Sequence, residues 1–270
     1  MAKTGFSIGQ VEIGNSKRFI IAGPCVVETR DIAFAAADEI VRVSKKFNIP
    51  FIYKSSFVKA NRQAGISFAS IGIETALKIL AEVKAQYNLP ILTDIHNTDQ
   101  VSAAAKVADC LQIPAFLCRQ TELIKAAAKT GLPLNIKKGQ FMAPEDMRDA
   151  AMKAIEEGNP KVMLTERGTT FGYHDLVVDF RSIVIMKQLG YPVVFDCTHS
   201  IQKPGGAGNI SGGSPKFIIP LARAAAAVGV DGLFIETHPE PKDALCDQNC
   251  QLKLSLLEEV VEQVLGVWGK

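Results

Sequence analysis

Residues able to do chemistry recur at one kind of place in this chain, directly behind short apolar runs. Cys25 follows "FIIAGP", Lys54 opens "KSSFVKANR", Asp94 and His96 close "ILTDIH", and Gln112 sits in "CLQIPA". Asn135, Lys137 and Lys138 then end "LNIKK", Glu166 and Arg167 end "VMLTER", Asp196 and His199 lie in "VVFDCTHS", and Glu236 and His238 in "LFIETH". One polar residue behind a strand is most often a solvated rim group, but here every run carries one. Two chemistries follow. Cys25, His199, Glu236 and, further along, Asp247 offer a thiolate, an imidazole and two carboxylates, a mixed soft and hard set for one divalent ion such as Fe²⁺, Mn²⁺ or Zn²⁺. His96 and His238 are rival ligands, and a buried cysteine or a hydrogen-bonded core histidine is the commoner state for each taken alone. Lys54, Lys59, Arg62, Lys137, Lys138 and Arg167 would repel one another at a single mouth unless anions bind there. Arginine forks mixed with lysine point charges suit two phosphate or carboxylate groups.

Such residues need a scaffold that brings strand ends together. The apolar runs "RFIIAG", "PFIYKSS", "PILTDI", "CLQIPA", "LPLNIKK", "KVMLTER", "YPVVFDCTHS" and "GLFIETH" read as strands. Helical spacing falls between them over Ile32–Phe47, Ile71–Tyr87, Asp99–Ala108, Glu122–Thr130, Pro144–Glu157, Phe180–Leu189, Pro215–Val228 and Leu252–Val267. Near-continuous apolar strands alternating with helices predict a parallel sheet covered by helices, and this number of units predicts a closed (β/α)₈ TIM barrel. One domain then spans 1–270, with 1–17 as an N-terminal hairpin closing the barrel bottom. Strands one, seven and eight become neighbours, which groups Cys25, His199 and Glu236. The glycine-rich "KPGGAGNISGGSP", Lys203 to Pro215, lacks the G-K-[ST] ending of a P-loop and reads as an active-site lid inside a βα loop, with a second lid over Glu240 to Gln251.

Composition narrows the partners. A formal charge of +2 on 270 residues gives no field for nucleic acid, so the expected partner is a small molecule. Six cysteines scattered without a C-x-x-C pair read as reduced, hence a cytoplasmic chain, and no apolar stretch is long enough for a signal peptide or a membrane span.

The ordered motifs "AGPCVVE", "YKSSFVKANR", "TDIH", "QIPAFLCRQT", "NIKKGQF", "ERGTTFGYHDLVVD", "FDCTHSIQ", "PGGAGNISGG" and "GLFIETHPEP" together resemble the 3-deoxy-D-manno-octulosonate 8-phosphate synthases. That resemblance implies a (β/α)₈ barrel, a homotetramer, and condensation of phosphoenolpyruvate with D-arabinose 5-phosphate and water in lipopolysaccharide (KDO) biosynthesis. Cysteine behind Gly-Pro implies the metal-dependent class, with Cys25, His199, Glu236 and Asp247 as ligands. Phosphoenolpyruvate is expected on Lys54, Lys59, Lys137 and Arg167 near Gln112, and the sugar phosphate on Asp94, Asn61 and Arg62. Lys137, His199, Asp94 and Asn61 form the expected catalytic group, with proton transfer open between Lys137, His199 and water at the metal. Two departures stand out. Gln63 and Ala64 replace the serines expected after Arg62, so Gln63 or a backbone N–H must serve in place of a hydroxyl, and Cys246 replaces a serine before Asp247. The alternatives are the related synthase that uses erythrose 4-phosphate, whose motif reads "KPRTS" where this chain has "KANR" at Lys59 to Arg62, and a non-catalytic phosphosugar-binding barrel, which should have lost some of these residues.

Overall fold

The computed structural model describes residues 5–60, 68–207 and 210–269. Strands β1 (Phe6–Ile8) and β2 (Val11–Ile13) pair antiparallel as an N-terminal hairpin. Eight parallel strands follow, β3 (Phe19–Gly23), β4 (Phe51–Lys54), β5 (Ile91–Asp94), β6 (Cys110–Ile113), β7 (Leu134–Lys137), β8 (Val162–Glu166), β11 (Val193–Asp196) and β14 (Gly232–His238). The β11–β14 pairing closes the ring, so the architecture is the (β/α)₈ TIM barrel that the alternating pattern predicts. Its helices are α1 (Arg30–Phe47), α2 (Ile73–Tyr87), α3 (Asp99–Ala105), α4 (Thr121–Ala128), α5 (Met147–Glu156), α6 (Arg181–Gln188), α7 (Ile218–Val228) and α8 (Leu257–Trp268). Among the described residues, no helix is long and apolar enough to cross a membrane.

Local signals explain these boundaries. The Thr29 side chain accepts from Ile32 N at 3.2 Å to start α1, and Asn48 ends it in the left-handed conformation, φ 50°. Between those caps Ala33, Ala36, Ala37, Ile40 and Val43 fall on one buried stripe. The last helix starts later than its apolar spacing suggests. Leu252 and Lys253 form a short strand, β15, paired with Thr237 and His238, and a 3₁₀ turn intervenes before α8.

Strand alternation builds two cores and decides what faces the barrel axis. Ile20, Ala22, Tyr53, Leu134 and Ile136 pack outward against the helices. Phe19, Ile21, Ile52, Leu92, Cys110, Met163, Val194 and Phe234 point inward, and Ile8, Val11 and Ile13 of the hairpin join them, so the hairpin plugs the N-terminal end. Counting two residues on from Ile52, Leu92, Cys110, Val194 and Phe234 gives Lys54, Asp94, Gln112, Asp196 and Glu236, all buried above the inner core at the opposite end.

The same alternation corrects one expectation. Lys138 does not join the cations of the mouth, because it follows inward-facing Lys137 and turns the other way. Its Nζ lies 3.5 Å from Glu166 Oε1 and donates to Thr169 Oγ1 at 3.1 Å, under the loops beyond β7 and β8. Glu166 likewise faces outward and accepts from Gly168 N and Ser182 Oγ.

The connections carry small ribbons of their own. Strands β9 (Thr169–Thr170) and β10 (Leu176–Val177) form one. Strands β12 (Gln202–Ala207) and β13 (Ile210–Gly213) form another, so much of the glycine-rich segment expected as an active-site lid is an antiparallel hairpin. Residues 208–209 of that segment lie outside the described residues.

Two stability outcomes follow. A Cβ at Gly23 would stand 2.1 Å from Lys54 O in the adjoining strand, at φ +153°. Gly23→Ala should therefore cost about 3–5 kcal/mol in denaturant unfolding, and a loss below ~1 kcal/mol would contradict the close β3–β4 approach. Lys138→Met leaves Glu166 buried without its cation and should cost a comparable 3–5 kcal/mol, partly recovered when Glu166→Gln is added.

Candidate active site

The inward groups of the strand ends converge on one cleft at the C-terminal mouth, lined by Lys54, Lys59, Asp94, His96, Gln112, Lys137, Arg167, His199 and Glu236, with Phe116 at its rim. Lys54 Nζ donates to Glu236 Oε1 at 2.9 Å, to Ser56 Oγ at 3.1 Å and to Cys25 O at 3.2 Å, and lies 3.8 Å from Asp94 Oδ1. Lys59 Nζ is 3.8 Å from the same Glu236 oxygen. Lys137 Nζ meets Asp196 Oδ2 at 2.5 Å and His199 Nδ1 at 3.4 Å, and sits 3.9 Å from the centroid of the Phe234 ring beneath it.

Burial and these partners set the charges. Burial alone would raise the Glu236 carboxyl, but His199, Lys54, Lys59 and Lys137 outweigh it and hold the group well below the usual carboxylate range. Burial pushes Lys54 down, yet Glu236 and Asp94 more than compensate, so its ammonium binds its proton more tightly than usual. For Lys137 burial wins, and its pKa falls below the ordinary lysine value. Arg167 is shifted down by burial as well. Its Nη2 donates to Gln202 Oε1 at 2.6 Å, while Nε and Nη1 are buried with no acceptor among the described residues. Gln112 Oε1 and His96 Nδ1, in the same cleft, are likewise buried without a partner among the described residues. Unmet donors on a buried cation are costly, and an oxyanion is the group that would satisfy them.

Beside these cations lies a set of donors fit for a metal. Cys25, Cys246 and Asp247 place ligand atoms within 4.8 Å of one another, and so do His199, Glu236 and Asp247, the two triads sharing Asp247. Cys25 Sγ lies 3.2 Å from Asp247 Oδ2, and His199 Nε2 lies 3.4 Å from Glu236 Oε2. Asp196 Oδ2 engages His199 Nδ1 at 2.8 Å, which leaves Nε2 to face the cluster, the arrangement by which an outer carboxylate orients a ligating imidazole. Burial and the adjacent Cys246 thiol push Cys25 upward, so it is held as a thiol until a cation draws the proton off. The donor types and their spacing fit a divalent transition ion.

The structure thus brings together Cys25, Lys54, Lys59, Asp94, Gln112, Lys137, Arg167, His199, Glu236 and Asp247. His238 is set apart from the cluster, its Nδ1 bonded within its own turn to Glu240. Asn61, Arg62 and Gln63 lie outside the described residues. The supporting roles of three residues escape a strand-end reading. Asp196 is visible as a strand-end acid, but its hold on His199 and Lys137 needs the turn at 197–199, which it caps by accepting from the Thr198 and His199 amides. Gln202 links Arg167 to Asp247 Oδ1, and Gln251 accepts from Cys25 N. Both glutamines sit in connections with no periodic signal.

Comparison with known proteins agrees with this geometry. The chain is 48% identical over 264 residues to the 2-dehydro-3-deoxyphosphooctonate aldolase of Desulfatibacillum aliphaticivorans, covering 97% of each chain. It is 51% identical to the protein of that name from Bordetella petrii, over 98% of this chain and 94% of the other. For the one from Brucella anthropi the identity is 50%, over 98% and 96%. Residues 3–267 match the DAHP synthetase I family, and the chain belongs to it.

Proposed function

We infer that this chain condenses phosphoenolpyruvate with D-arabinose 5-phosphate and water, giving 3-deoxy-D-manno-octulosonate 8-phosphate and inorganic phosphate in lipopolysaccharide biosynthesis. The observation that carries this reading is the buried Arg167 with two unmet nitrogens, set among Lys54, Lys59 and Lys137 at the barrel mouth. Phosphoenolpyruvate brings a phosphate and a carboxylate on a small frame, which suits that group of cations. The names of the relatives favour the eight-carbon product over the erythrose 4-phosphate reaction. The intact set of residues speaks against a barrel that only binds.

In this reading Lys54, Lys59, Lys137 and Arg167, with Gln112, fix phosphoenolpyruvate, while Asp94 with Asn61, Arg62 and Gln63 holds the sugar phosphate. C3 of the enol phosphate attacks the sugar aldehyde, whose oxygen takes up a proton; water adds at C2 and loses one; and the tetrahedral carbon expels phosphate by C–O cleavage as its hydroxyl gives up the second proton, leaving the ketone. Arg167 and Lys137 offset the charge gathering on the departing phosphate. Lys137 Nζ, its pKa lowered by burial and its position held by Asp196, would pass a proton to the departing phosphate oxygen in this reading, with His199 and water at the metal as the other candidates. Cys25, His199, Glu236 and Asp247 would hold one divalent ion, Fe²⁺, Mn²⁺ or Zn²⁺. When bound, it supplies Lewis-acid polarisation of the aldehyde or of the attacking water.

The protein is proposed to work in the cytoplasm, in keeping with six free cysteines, and as a homotetramer. Exposed Phe116, Phe141, Phe171 and Tyr173 support assembly through the rim of the mouth.

Phosphate release from phosphoenolpyruvate should depend on arabinose 5-phosphate and be at least about 100-fold slower with erythrose 4-phosphate, a difference of ~2.7 kcal/mol in the transition state. Arg167→Lys should keep the fold and lower kcat/KM for phosphoenolpyruvate by a similar factor, and an unchanged value would remove the arginine from the site. Stripping the protein with a chelator should abolish turnover, with recovery on adding back Fe²⁺, Mn²⁺ or Zn²⁺. Full activity throughout chelation would refute the metal role.

A further inference from the structure

The four donors just proposed leave out a thiol that stands beside two of them, Cys25 and Asp247. Cys246 contributes its sulfur to the triad with Cys25 and Asp247, all three ligand atoms within 4.8 Å of one another, and both cysteines are buried. The spacing is built rather than incidental. Gln251 Nε2 donates to Cys246 O at 2.9 Å while its Oε1 accepts from Cys25 N at 3.2 Å, so one amide sets the distance between the two thiol-bearing segments. Asp247, common to both triads, is held at φ 47°, its carbonyl accepting from Cys250 N and Gln251 N. Lys59 Nζ, 3.8 Å from Glu236 Oε1, supplies positive charge beside the donor cluster. Cys250 lies on the same loop but outside both triads, its sulfur directed to Gly212 O at 3.4 Å.

We propose that Cys246 is a second sulfur donor to the metal, and that it biases the site toward thiophilic ions such as Zn²⁺ or Cd²⁺ over Mn²⁺. Each thiol loses its proton to solvent as its sulfur binds the ion, and no redox change is involved. A site with one sulfur among four donors accepts the harder ions readily, whereas a second thiolate favours the softer ones. The inference rests on the metal reading given under the proposed function.

The test uses the full-length chain, stripped by a chelator and reloaded with Co²⁺, whose near-ultraviolet thiolate-to-cobalt absorption scales with the number of sulfurs bound. Cys246→Ser should still bind Co²⁺ but lose about half of that absorption, and its Zn²⁺-over-Mn²⁺ preference in competition should fall about tenfold or more. Cys250→Ser should match the parent. X-ray absorption on the Zn²⁺-loaded parent needs no variant and should show two sulfur neighbours at about 2.3 Å. One sulfur neighbour, or an unchanged Cys246→Ser spectrum with an unchanged ion preference, overturns the proposal and leaves the four-donor site standing. Failure of the parent to bind Co²⁺, or a Cys25→Ser variant that binds it with full absorption, overturns the four-donor site itself.

Discussion

A carboxylate with almost no water around it organises the mouth of this barrel. Glu236 ends the inward face of β14, and its charge is maintained only because Lys54, Lys59 and His199 surround it. In a low-dielectric pocket none of these groups is stable without the others. Lys54 keeps its proton because Glu236 and Asp94 are there, and Lys137 keeps its place because Asp196 is there. The site is therefore a network of mutually dependent charges laid over an apolar floor. In the proposed reaction an incoming dianion would compete with Glu236, Asp94 and Asp196 for these cations, and a divalent ion would take over part of the work now done by the lysines around Glu236.

The scaffold was largely legible because a closed parallel barrel imposes a strict pattern on its chain. Buried strands must be continuously apolar, and the helices between them must show a stripe, so both signals are strong in one sequence. The polar residues at strand ends were legible for the same reason, since nothing in the packing of a strand explains Lys54, Asp94 or Glu236. Lys138 shows where the reading stops. Two adjacent lysines look alike in composition, and only the side-to-side alternation, anchored by which residues meet the N-terminal plug, separates the one at the mouth from the one beneath the loops.

Connections were harder to read because their order comes from long-range pairing instead of local periodicity. The glycine-rich segment between Lys203 and Pro215 contains no apolar alternation, yet part of it pairs as β12 and β13. Gln202 and Gln251 gain meaning only once the ring closes, when they link Arg167 to Asp247 and Cys25 to the last loop. Neutral amides of this kind are invisible to a search for charges, but they set the distances between the groups that such a search finds.

The pairing of β14 with β3 has a consequence for how the protein comes into being. It joins a segment made near the start of translation to one made near its end, and Cys25 meets Asp247 only across that seam. Until β14 and the loop behind it are synthesised and docked, Cys25 lacks Cys246 and Asp247, and Lys54 lacks Glu236. Contacts this distant along the chain form late and slowly. A chain truncated before β14 would keep most of the barrel strands but lack Glu236, Cys246 and Asp247.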